Sequence, residues 1–241
     1  MSEALLGKAV DACEALTSSV EGHAGKINEA LADAINILNS KADKFDRYLP
    51  RICITNNPFL DFDSETNLPT GLYIHSDVTV ELYETISGSP SSRTPEQLSI
   101  LDDIESDLGV DIRKNEYYQR GFNIVKLSWK SLASSDWLAF PSFIGDYASS
   151  LPTQNKCTVG AFVKVLSGEI SGYWGTGAER GVWHFGSSSI NPSDSFGRYT
   201  HAHPARKSVE GEVLVALPFA TTGYIGSANH WFPQISIKDL K

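Results

Sequence analysis

From Leu6 to Phe45 the apolar residues keep to a repeat of seven, which restricts this stretch to a helix with one unfinished face. Leu6, Cys13, Val20, Ile27 and Ala34 fall at d; Val10, Thr17, Ala24, Leu31, Leu38 and Phe45 fall at a, and Tyr48 closes the d series. A strict period of seven held over about six heptads is the seam of a left-handed coiled coil, narrower than the apolar face of a core helix. Thr17 and Lys41 interrupt the seam, and Gly22 and Gly25 each cost about 1 kcal/mol of helix propensity. Such a helix does not stand alone. Its stripe is covered either by other copies of the chain or by the chain's own globular part. Pro50 ends it, because the residue before a proline is pushed out of the α region.

Beyond Pro50 the period changes from seven to two. The stretches 51-RICIT-55, 71-GLYIHSDVTVELYETI-86 and 123-NIVKLSW-129 read as strands, with β-branched and aromatic residues alternating with polar ones. Between them a helix is spelled out near 95–108. Thr94 is its N-cap, Pro95 its first residue and Gln97 the partner of the cap; Leu98, Leu101, Ile104 and Leu108 form its apolar face before Gly109. The acidic run 102-DDIESD-107 is its solvated side; no D-x-D-x-D-G loop for calcium is present. From residue 151 onward, 158-TVGAFVKVL-166, 181-GVWHFG-186, 211-GEVLVALPFA-220 and 229-NHWFPQISI-237 read as strands joined by Gly- and Ser-rich turns. The expected architecture is therefore mixed: a coiled-coil helix over 1–50, an α+β domain over 51–150 and an all-β domain of sandwich, jelly-roll or barrel type over 151–241.

Several functions are excluded early. The net charge of −9, with basic residues scattered rather than clustered, argues against nucleic acid as a partner. No run approaches the roughly 18 apolar residues of a membrane span, and no basic, then apolar, leader opens the chain. Cys13, Cys53 and Cys157 form no C-x-x-C pair, so neither a disulfide framework nor a zinc or redox motif is expected. The glycines of 172-GYWGTGAERG-181 fit neither G-x-G-x-x-G nor the P-loop, and G-x-S-x-G and H-E-x-x-H are both missing. Glu169 and Glu179 flank an aromatic loop and leave a carbohydrate-cleaving pair conceivable.

More informative is the supply of aromatic rings beside polar turns. Sugars are held by stacking C–H faces on such rings while polar side chains read the hydroxyls. In 171-SGYWGTG-177 and 194-DSFGRYTHAH-203, Tyr173, Trp174 and Tyr199 are candidate ring faces and Asp194 and Arg198 candidate hydroxyl readers; core packing is the alternative for Tyr173 and Trp174. His201 and His203 lie one residue apart, where an extended strand turns both to one face.

A heptad helix, an acidic middle and an aromatic, Gly/Ser-rich β end resemble the tail fibres and receptor-binding appendages of bacteriophages. The resemblance is architectural. It implies a non-enzymatic virion protein of the tail, synthesised in the host cytoplasm and homotrimeric through its helix, with other tail proteins and a host surface glycan or receptor as partners. Some fibre tips join H-x-H pairs from three chains around one axial metal ion. On that likeness His201 and His203 would be ligands, with no other cofactor implied; otherwise they form an exposed turn before Pro204 or contact a receptor. An adaptor that binds other tail proteins and a glycan-cleaving tailspike are the alternative functions.

Overall fold

The computed structural model describes residues 2–48, 51–112, 120–132, 135–141 and 150–231, and within the first helix the side chains of residues 3–41. The chain divides into two compact units, Met1–Leu49 and Pro50–Lys241. The first unit is one helix, α1, Ser2–Tyr48, unbroken at Gly22 and Gly25. Its seam residues Leu6, Val10, Val20, Ile27, Leu31 and Leu38 are 49–67% exposed, and Cys13 is also exposed. The seam position Phe45 has its side chain outside the described residues, and Pro50 lies outside them altogether.

The second unit contains, in chain order, β1 (Leu72–Ile74), β2 (Val78–Ile86), α2 (Pro95–Leu108), β3 (Phe122–Trp129), β4 (Ala139–Pro141), β5 (Leu151–Pro152), β6 (Cys157–Ser167), β7 (Ile170–Ser171), β8 (Trp183–Ile190), β9 (Tyr199–Thr200), β10 (Ala205–Arg206) and β11 (Gly211–Thr222). Five of these strands make one antiparallel sheet in the order β2-β3-β11-β6-β8. The pairs β1–β4, β5–β9 and β7–β10 form three small antiparallel sheets.

This architecture corrects the expected fold class. There is no separate α+β middle followed by an all-β sandwich, jelly roll or barrel. Strands β2 and β3, from the stretch read as α+β, lie in the same sheet as β6, β8 and β11, from the stretch read as all-β. The reason lies in β3 and β11. In β3, Phe122 and Ile124 face one core while Val125, Leu127 and Trp129 face the other; in β11, Leu214 and Ala216 oppose Val213 and Val215 in the same way. An apolar run buried on both faces belongs at the centre of a clad sheet, and β11 pairs with both β3 and β6 there. Pro218 is tolerated in that central strand because the register shifts between Ala216 and Phe219, where Leu217 takes a φ of +48°.

One face of the sheet is covered by α2, through Leu101 and Ile104, and by Phe59, Ile225 and Trp231. The Thr94 side chain caps α2 by accepting from the Gln97 amide at 3.3 Å, Pro95 follows it, and Gly109 closes the helix at φ +63°. The other face is covered by Leu60, Leu138, Ala139, Ile170 and Trp174. Two further strand expectations are corrected: 51–55 contributes only an isolated bridge, Cys53 to Thr221, and 228–230 is a turn of 3-10 helix, with 232–237 outside the described residues. Among the described residues no helix is long and apolar enough to cross a membrane.

Candidate functional site

The most distinctive surface of the sheet-bearing unit is built by the small strands. β1 pairs with β4 so that Tyr73 opposes Phe140. Arg206, fully buried, donates from Nη1 to Ser131 O (3.0 Å) and from Nη2 to Ser135 O (2.9 Å), while its amide donates to Asp136 O (2.7 Å). Leu138 N–H donates to Pro204 O at 2.9 Å, and Trp137 bridges to Ala205. These bonds set the Trp137–Phe140 segment against the segment 201–206, bringing residues far apart in sequence onto one face.

The result is a row of rings. Tyr73, Phe140, His201 and Tyr199 follow one another with centroids 5.1, 6.3 and 5.5 Å apart and interplanar angles of 12°, 23° and 28°. Phe140 is the buried member; Tyr73 and Tyr199 at the two ends are 52% and 58% exposed. Trp137 stacks beside Tyr73 (5.8 Å), meets His75 edge-on (4.7 Å) and lies 6.0 Å from His203. His203 also neighbours Phe140 (5.8 Å) and Tyr173 (6.4 Å).

Polar groups are threaded between the rings. His201 Nε2 is 3.3 Å from Ser150 Oγ. His203 Nδ1 is 3.3 Å from Pro204 O; a carbonyl only accepts, so the proton sits on Nδ1 and Nε2 keeps its lone pair. Burial, more than the neighbouring charge of His201, holds the His203 pKa below the ordinary imidazole value, partly offset by that bond and by Asp136. His75 Nδ1 accepts from the Asp77 amide at 3.1 Å, which leaves its proton on Nε2. Lys207 lies 3.5 Å from Asp136 and balances its charge.

The residues singled out in the sequence separate here. Tyr199, His201 and His203 join the row, and Tyr173 borders it, with its hydroxyl 2.8 Å from Thr200 Oγ1. Trp174 does not: it is 1% exposed and packs in the core behind, so it offers no ring face to a ligand. The cause is local. Gly172 and Tyr173 both take positive φ, +84° and +46°, and fold 173–175 back onto the sheet, where Gly186 leaves room for the Trp174 backbone. Asp194 and Arg198 are exposed on the turn before β9, where Phe196 is fully exposed. Arg198 holds that turn by its carbonyl, which accepts from the Thr153 amide at 3.0 Å. Glu169 and Glu179 are exposed.

Sequence reasoning missed Tyr73, His75, Trp137 and Phe140. The i, i+2 spacing of Tyr73 and His75 in 71-GLYIHSD-77 was a usable signal, since both reach Trp137. For a metal, His201 and His203 supply two donors within one chain, and no group of three or more His, Cys, Asp or Glu side chains converges among the described residues. Two imidazoles from one chain do not complete a transition-metal shell, so the axial arrangement needs the pairs of other copies, and with Nδ1 of His203 on the Pro204 carbonyl it is Nε2 that would ligate. No family model matches the chain, and no curated protein matches it.

Proposed function

We propose that this chain is a non-enzymatic structural component of a bacteriophage tail, a fibre or appendage protein that self-associates through α1 and presents its sheet-bearing unit to the host surface. It would act in the virion, after synthesis in the host cytoplasm, with other tail proteins and a host glycan or receptor as partners. The observation that carries the reading is the apolar stripe of α1, exposed from Leu6 to Leu38 and interrupted there by Thr17. A helix about 70 Å long with that stripe in water is stable only when the stripe is covered.

Three copies cover it better than two. Leu16 and Ile37 at g and Ile35 at e are also exposed, widening the stripe beyond an a/d seam. A helix of this kind joined in sequence to a unit whose exposed aromatic rings lie among hydrogen-bonding groups suits attachment rather than catalysis. Light scattering on the full chain tests it: a trimer mass is expected, and a monomer that persists at high concentration would remove the appendage reading.

A further inference from the structure

We infer that the row Tyr73–Phe140–His201–Tyr199 is a binding site for a neutral oligosaccharide, with at least two pyranose units laid along it. This deepens the attachment reading above and rests on it. Tyr73 and Tyr199 are the two platforms: each is more than half exposed and backed by a stacked partner, Phe140 and His201 respectively. A pyranose offers a C–H face to such a ring and a rim of hydroxyls to its surroundings. Beside Phe140 lie two imidazoles, which suit a hydroxyl that donates and accepts at once: His201, with Ser150, and His203.

The charge pattern narrows the ligand. The charged pair beside His203, Asp136 with Lys207, is internally balanced, and the Arg206 guanidinium is buried against carbonyls. Among the described residues the four side chains of the row carry no fixed charge, and the exposed Asp194 and Arg198 on the turn before Tyr199 are of opposite sign. Nor does the row form the closed apolar pocket that grips a hydrophobic side chain, since its buried member, Phe140, is flanked by wet imidazole and phenol. With the platforms at opposite ends and Phe140 and His201 between them, one sugar ring does not engage both. Affinity should therefore depend on chain length.

The backbone supports a built site. Tyr173, beside His203, is held at φ +46°, a conformation rare for a non-glycine residue, and is tied to Thr200 by its hydroxyl. Strain of this kind persists where the surrounding contacts over-determine it.

The test titrates the full chain with neutral gluco-, manno- and galacto-oligosaccharides of one to four units, by saturation-transfer NMR and tryptophan fluorescence. Binding in at least one series, strengthening from one to three units, is expected. Tyr73→Ala and Tyr199→Ala should each weaken it by roughly fivefold or more, whereas Tyr73→Phe should retain it. Circular dichroism confirms that each variant is folded. Absence of binding across all series overturns the proposal, as does wild-type affinity in both alanine variants. If the alanine variants instead change the mass by light scattering and no sugar binds, the row is a contact between copies: the sugar site falls while the appendage reading stands. A monomeric wild-type chain that binds sugars through Tyr73 and Tyr199 does the reverse, upholding the sugar site and removing the appendage.

Discussion

The Tyr173 hydroxyl lies 2.8 Å from Thr200 Oγ1, joining the turn that leaves β7 to the strand that precedes the histidines. Both partners can donate or accept, so the bond survives either hydroxyl orientation. It holds in place a residue whose backbone alone would prefer another conformation, since Tyr173 sits at φ +46°.

Removing either hydroxyl should therefore cost the same interaction. Tyr173→Phe and Thr200→Val are each expected to destabilise the folded chain by about 0.5–1.5 kcal/mol, and the double variant by little more than the worse single one. Chemical denaturation of the four proteins measures the coupling. Additive losses would show that the two hydroxyls do not act on each other.

A pH dependence follows from His203. Burial lowers its pKa in the folded chain, so the unfolded chain binds the proton more readily. Stability from this group is present above the ordinary imidazole value near 6.5 and is lost as the pH falls through the lower folded value. Charge on His201 works in the same direction and Asp136 against it. Between pH 7 and pH 5 the wild type should lose more thermal stability than His203→Gln, whose side chain does not titrate. Equal losses in the two proteins would show that His203 is not the group responsible.

Much of this was written locally and some was not. The heptads of α1 and the 94-TPEQ-97 start of α2 were readable because helices are specified by neighbours three, four and seven residues away. The sheet order was not, because β11 pairs with strands far from it in sequence, and its apolar run fits a sandwich strand as well as a clad central strand. The row of rings escaped for the same reason: Tyr73 meets Phe140 through the pairing of β1 with β4, and His203 meets Trp137 through the bonds of Arg206 and Pro204. Gly186 was the overlooked clue to Trp174. A glycine inside a strand pattern often marks close backbone approach, and here a Cβ would overlap the Trp174 carbonyl.

The helix has its own prediction. Ile27 and Leu31 are adjacent seam residues, both well exposed in one chain. Replacing both with aspartate places like charges opposite one another in any parallel assembly. The assembly should dissociate to monomers by light scattering, while the melting of the sheet-bearing unit stays within a degree or two. An unchanged mass would mean that the stripe is not what joins the copies.

Trp174 and Tyr199 look alike in sequence, each an aromatic beside glycine- and serine-rich turns, yet the fold gives them opposite duties. Trp174 is buried among Val163, Val165 and Ile170 of the second core, whereas Tyr199 lies outside on His201. Trp174→Ala should leave a cavity and destabilise the chain by about 3–5 kcal/mol. Tyr199→Ala removes a mostly solvated ring and should change stability by no more than about 0.5 kcal/mol. Attachment should respond the other way at temperatures where both variants are folded, with Tyr199→Ala deficient and Trp174→Ala competent. Denaturation curves and adsorption to immobilised polysaccharide read the two effects separately. If Tyr199→Ala instead unfolds the chain, that ring belongs to the core and the row of platforms loses one end.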